Sequence, residues 1–145
     1  MVATNTQSTL RALRTKLQAM GGVAGVVIGE PKSAMQSGLV AVLSETGRID
    51  ETVLDAPREV HEVTLRRFEN AMEGPEEDVE FLLDRWRAEL LQDLWGDFDL
   101  GATVAHLLPA LMSWAYGYVT IENVVYRYLD ITVVFRVDPV ATFTQ

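Results

Sequence analysis

The sequence predicts an α+β fold: a small, mostly antiparallel sheet flanked by an N-terminal helix and a longer middle helix. Residues 8–20 and 75–95 carry apolar side chains at three- and four-residue steps, and each stretch ends at a glycine. The runs between and after them are short and rich in β-branched and aromatic residues, and residues 129–137 alternate with period two. At 145 residues and 48% hydrophobic content, the chain suits one domain spanning 1–145 with a core large enough to need no disulfide or metal.

In the first helix Leu10, Leu13, Leu17 and Met20 share one face, with Thr6 or Ser8 placed to cap its start and Gly21-Gly22 to end it. Arg11, Arg14 and Lys16 lie off that stripe and form a solvated face. Residues 23–29 read as a short strand between glycines. The run 39–43 suits a strand buried on both faces. Glu45-Thr46-Gly47-Arg48 reads as a turn. The β-branched content of residues 59–69 favours a strand, although Val60 and Val63 cannot share a face there without a bulge.

Gly74-Pro75-Glu76-Glu77-Asp78 is the clearest helix start. Proline suits the first helical position, and the acids meet the positive end of the helix dipole. Val79, Leu82, Leu83, Trp86, Leu90 and Leu94 then trace one face as far as Gly96. Residues 98–108 read as a short helix or turn packed by Leu100, Val104 and Leu107 and stopped by Pro109. The remainder reads as a hairpin: a strand over 111–121, a turn at Glu122-Asn123, and a last strand in which Leu129, Ile131, Val133, Phe135 and Val137 form one apolar face.

The net charge of −9 is unevenly spread. Residues 1–49 hold five basic and two acidic groups, residues 50–99 hold five and 16, and the rest hold two and three. No basic stripe is present of the kind that releases counterions from DNA, so sequence-specific nucleic-acid binding is not expected. No apolar run approaches the ~20 residues of a membrane span, and the start Met1-Val2-Ala3-Thr4-Asn5 lacks the pattern of a secretory signal; synthesis in the cytosol is the expectation.

Little in the sequence supports catalysis. The chain has no cysteine, which excludes thiol nucleophiles, thiolate zinc sites and iron–sulfur clusters. His61 and His106 are far apart in sequence and lack partners at metal-ligand spacing, so both read as structural. Ser33, Ser37, Ser44 and Ser113 lack the Gly-x-Ser-x-Gly context of a nucleophile elbow. Gly21-Gly22-Val23-Ala24-Gly25 follows a helix and precedes a strand, the reverse of a phosphate-binding loop. Asp93, Asp97 and Asp99 could hold a weak divalent ion through oxygen ligands, but a solvated loop is the better reading. No cofactor, catalytic residue or metal site is expected. Trp114, Tyr116, Tyr118, Tyr126 and Tyr128 form an aromatic group for which core packing is favoured over a subunit contact.

The helix over residues 10–20 and the closing run Tyr116-Gly117-Tyr118-Val119-Thr120, followed by Val125-Tyr126-Arg127-Tyr128-Leu129-Asp130-Ile131-Thr132-Val133, resemble the tail terminator proteins of long-tailed bacteriophages. That lambda-type family caps the tail tube, and the similarity in layout covers most of the chain. It implies a non-enzymatic α+β protein whose copies close into a hexameric ring, with tail tube protein and head-completion or neck proteins as partners. It also implies a place in the virion at the head–tail junction, after assembly in the host cytoplasm. An acidic conduit would let DNA pass without holding it.

No residue carries over from the family by motif. On physical grounds Arg66 and Arg67, adjacent in an acidic segment, are candidates to meet Asp97 or Asp99 of a neighbouring subunit, with Tyr126 and Tyr128 as further interface residues. Two alternatives remain: another phage neck or tail-completion protein, and a small-ligand binding domain whose aromatic hairpin lines a pocket. An enzyme using Asp93, Asp97 and Asp99 with a divalent ion is the least favoured.

Overall fold

A computed structural model describes residues 5–53, 56–96, 105–108 and 111–137. The elements run α1 (Asn5–Gln18), β1 (Gly25–Ile28), β2 (Leu39–Val53), β3 (Ala56–Asn70), α2 (Glu76–Trp95), β4 (Ala105–Leu107), β5 (Ser113–Ile121) and β6 (Val124–Val137). Among the described residues the strands form one six-stranded sheet, ordered β1-β2-β3-β6-β4, with β5 paired to β6 as well. Only the β1–β2 pair is parallel. The fold is α+β with a mostly antiparallel sheet. No helix among the described residues is long and apolar enough to cross a membrane.

Helix α1 starts and stops earlier than its apolar stripe predicts. Thr6 and Ser8 fall inside the first turn rather than capping it, and Ala19 and Met20 close the helix through bonds to the Lys16 and Leu17 carbonyls. Pro75 is the N-cap of α2 rather than its first helical residue, and Glu76, Glu77 and Asp78 occupy the first turn. The predicted stripe buries Leu83, Trp86, Leu90 and Leu94.

Strand β2 runs through the predicted turn at 45–48. Its ladder with β3 absorbs register shifts between Ser44 and Thr46 and between Ile49 and Glu51, so the turn residues mark a bulge and the chain does not reverse there. Val60 and Val63 lie on opposite faces of β3, whose pairing with β6 is regular, and both are buried. Residues 105–107 form strand β4 on the edge of β6, not a helix or turn; the predicted packing residues Leu100 and Val104, and Pro109, lie outside the described residues. Leu107 is buried there.

The hairpin of β5 and β6 matches its prediction. Glu122 and Asn123 both take positive φ, 50° and 67°, as a two-residue hairpin turn requires. Leu129, Ile131, Val133, Phe135 and Val137 are all buried on one face. They pack with Leu13 and Leu17 of α1 and with Leu83, Trp86, Leu90 and Leu94 of α2. A smaller cluster of Ala41, Leu43, Phe68 and Tyr126 occupies the other face, where Met35 from the β1–β2 connection packs on it.

That connection is pinned by Gly38. Its N–H donates to the Phe68 carbonyl at 2.8 Å, and its own carbonyl accepts from Ala24 N–H at 2.9 Å. Gly38 has φ of 92°, and a Cβ there would stand 2.8 Å from the Gly22 carbonyl oxygen. The backbone of residues 22 and 24 that it would meet cannot yield cheaply, so Gly38→Ala should cost roughly 2–4 kcal/mol through left-handed strain and overlap. Denaturant unfolding checks this, and an unchanged midpoint would refute the strained geometry.

Candidate interaction surface

Strand β5 contains no charged residue, in a chain of net charge −9. Its two-residue turn makes Ile121 and Val124 a hydrogen-bonded pair, and the pattern then alternates along the hairpin. The Val125 carbonyl accordingly points away from β5 and accepts from Ala71 N–H at 2.9 Å. It follows that the backbone N–H and C=O groups of Trp114, Tyr116, Tyr118 and Thr120 point outward from the sheet. No described strand pairs with them.

The side chains of the same residues lie on the helix-covered face, yet α2 covers them only in part. Trp114, Tyr116 and Tyr118 remain 48%, 37% and 55% exposed. Each ring carries a guanidinium: Arg87 lies 4.6 Å from the Trp114 centroid, and Arg127 lies 5.1 Å and 4.5 Å from those of Tyr116 and Tyr118. Both cations are held by acids of α2. Arg127 donates to both carboxylate oxygens of Glu80 at 2.7 and 2.9 Å, and Arg87 donates to Asp84 at 2.8 Å. These hydrogen bonds raise both arginine pKa values, with burial opposing. The Tyr118 hydroxyl donates to Glu76 at 3.4 Å.

The row works because of its spacing. Glu76, Glu80 and Asp84 recur every four residues, about 6 Å along a helix, while Tyr118, Tyr116 and Trp114 recur every two, about 6.8 Å along a strand. An acidic row, two arginines and an aromatic row therefore stay in step. Tyr, Trp and Arg are the residues over-represented at the energetic centres of protein interfaces.

The six predicted interface residues are placed otherwise. Arg66 and Arg67, as strand neighbours, point to opposite faces. Arg66 donates to both carboxylate oxygens of Asp130 at 2.6 and 2.8 Å and lies 4.2 Å from the Tyr128 ring centroid. That bidentate bond raises its pKa. Arg67 is buried, donates to Glu69 at 2.9 Å and to the Gly22 carbonyl at 2.9 Å, and offers no surface to a neighbour. Tyr126 is also buried; its hydroxyl donates to the Met35 carbonyl at 2.8 Å. Tyr128 is half-buried and lies across Gly117, where its ring fills the space a Cβ would need. Asp97 and Asp99 lie outside the described residues.

Compared with models of known protein families and with curated proteins, the sequence matches none. The chemistry of this chain must be read from its own side chains. His61 stacks on Phe135 with ring centroids 5.6 Å apart, and its Nε2 lies 2.7 Å from Glu59. The ring also lies over Gly47, where a Cβ would come within 3.0 Å of Nδ1. Asp93 accepts from Lys16 at 3.2 Å across a broad open groove between the two helices. Among the described residues no three acids or histidines cluster as metal ligands.

The sequence misses the edge itself. The aromatic residues are legible, as is their alternation, but which ones the hairpin leaves uncovered depends on where α2 ends up. The absence of charge from 113–121 is the signal that was available.

Proposed function

We propose that this chain is a structural assembly protein, a tail terminator whose copies close into a ring that caps a phage tail tube and joins it to the head-completion proteins. One observation carries the reading: a nine-residue edge strand without charge, whose outward backbone groups pair with no strand among the described residues, lies beside three exposed aromatic rings. Sheet edges are ordinarily blunted by lysine, proline, bulges or shortness, and β5 has none of these. An edge left in this condition suits a protein that functions when joined to others. The layout of the sequence, which resembles the tail terminator family, supplies the identity of the assembly.

The ligand-binding alternative, in which the aromatic hairpin lines the pocket, fits less well. The groove bounded by Pro31, Leu43, Phe68, Val119 and Ile121 has a volume of about 180 Å³, below the ~300 Å³ at which small-molecule pockets begin. Trp114, Tyr116 and Tyr118 are not among its walls.

Native mass measured across a range of protein concentrations tests the proposal. The expected species is near six copies of the 16.1 kDa chain, about 97 kDa, the ring that the family resemblance implies. Tail tubes capped by the purified protein would identify it as a terminator, and attachment on the portal side would reassign it to the neck. A chain that stays monomeric at every concentration and does not bind tube ends would overturn the proposal.

A further inference from the structure

The two outer edges of the sheet stand at the same height. Gly25 on β1 reaches Gly117 on β5 through Leu39, Phe68 and Tyr128, one partner per strand with no offset. The next three rows run equally unbroken, so that Val26, Val27 and Ile28 stand level with Tyr116, Ala115 and Trp114. The edges also run in opposite directions: β1 is parallel to β2, and three antiparallel pairings separate β2 from β5.

We propose that the outer edge of β5 in one copy pairs antiparallel with the outer edge of β1 in the next, placing Trp114 to Gly117 beside Ile28 to Gly25. This rests on the ring reading above and names the surface through which the ring closes. Three features select a second copy as the occupant. Both edges are uncharged, 25–28 as well as 113–121, which is where two chains of charge −9 meet with the least repulsion. Both expose apolar side chains, Val27 and Ile28 on one and the aromatic row on the other. Their equal height and opposite direction let copies related by rotation about an axis along the strands pair without a vertical shift. The contact is heterologous, so it repeats from copy to copy and makes a ring where the rotation closes. On the helix-covered face it sets Ile28 against Trp114 and Val26 against Tyr116, aliphatic against aromatic cross-strand pairs.

The chain has no cysteine, so an engineered pair reports cleanly. Val27→Cys and Ala115→Cys together should, on mild oxidation, give a ladder of covalent dimers, trimers and larger species on a non-reducing gel. At least tenfold more cross-linked protein is expected than from either single variant. Ala115→Lys, which charges the edge without touching the core, should leave the circular dichroism spectrum unchanged and at least halve the oligomeric fraction. Covalent dimers from Ala115→Cys alone would show β5 pairing with itself and overturn the inference. A large native mass with no ladder from the double variant would also overturn it, while leaving the ring standing. A monomer that never cross-links would overturn both.

Discussion

Ile131→Asp should leave little or no folded protein at neutral pH. Ile131 has no exposed surface, and it lies opposite Leu65 on β3 and Trp114 on β5 in the face that receives both helices. The substitution removes the transfer and packing energy of a buried aliphatic side chain and places a carboxylate where nothing apolar can solvate it. The combined cost is on the order of 5 kcal/mol or more, comparable to the whole stability of a domain this size. Because a buried carboxylate escapes the penalty by taking up a proton, any residual folding should improve as the pH is lowered. Ile131→Val serves as the control and should cost about 1 kcal/mol. Thermal unfolding followed by circular dichroism reads both, and an unchanged melting temperature for Ile131→Asp would refute the burial of this strand face.

Arg67→Ala should cost about 3–5 kcal/mol, far more than a surface arginine would, because it strands a buried charge. Its partner Glu69 is 7% exposed, and Arg67 is 3% exposed. The guanidinium also satisfies the Gly22 carbonyl and lies 5.6 Å from the centroid of Trp86. Burial pushes the Glu69 pKa above the ordinary 4.5, and Arg67 works against that rise. The sign of the pH dependence follows. A carboxyl whose folded pKa is raised adds stability below its unfolded pKa, and that stability is lost as the pH climbs through the folded value. Removing Arg67 raises the folded pKa further, so the stability of Arg67→Ala should fall more steeply than that of the natural chain between the ordinary carboxylate range and neutrality. Adding Glu69→Gln should flatten that slope and recover part of the loss. Denaturant titrations at several pH values decide it. Equal slopes for the natural chain and Arg67→Ala would mean that the pair is not buried as described.

Much of the fold was legible because its signals are local. A five-turn apolar stripe between Gly74 and Gly96 has one economical conformation, and so does period-two alternation ending at Val137 after an Asn-containing turn. The turn expected at 45–48 failed for an equally physical reason. Glu, Thr, Gly and Arg prefer a turn in isolation, but the ladder to β3 continues past them and Gly47 gives room to the His61 ring. Residues 105–107 were misread because three residues carry no period, and only the open flank of β6 makes a strand of them.

The candidate interface divides in the same way. Sequence alone marked 111–121 as a strand with Trp114, Tyr116 and Tyr118 at alternating positions, since alternation and composition are properties of the chain. It also drew attention to Arg66 and Arg67, whose adjacency in an acidic segment looked like an invitation to a neighbour. Tertiary structure alone decided that Arg67 is consumed by Glu69 and Gly22, and Arg66 by Asp130, while the aromatic row stays partly uncovered at the rim of α2. It alone brought β1 and β5 level at opposite edges. Periodicity is written in neighbouring residues, whereas partnership and exposure are set by segments dozens of positions apart, which only packing brings together.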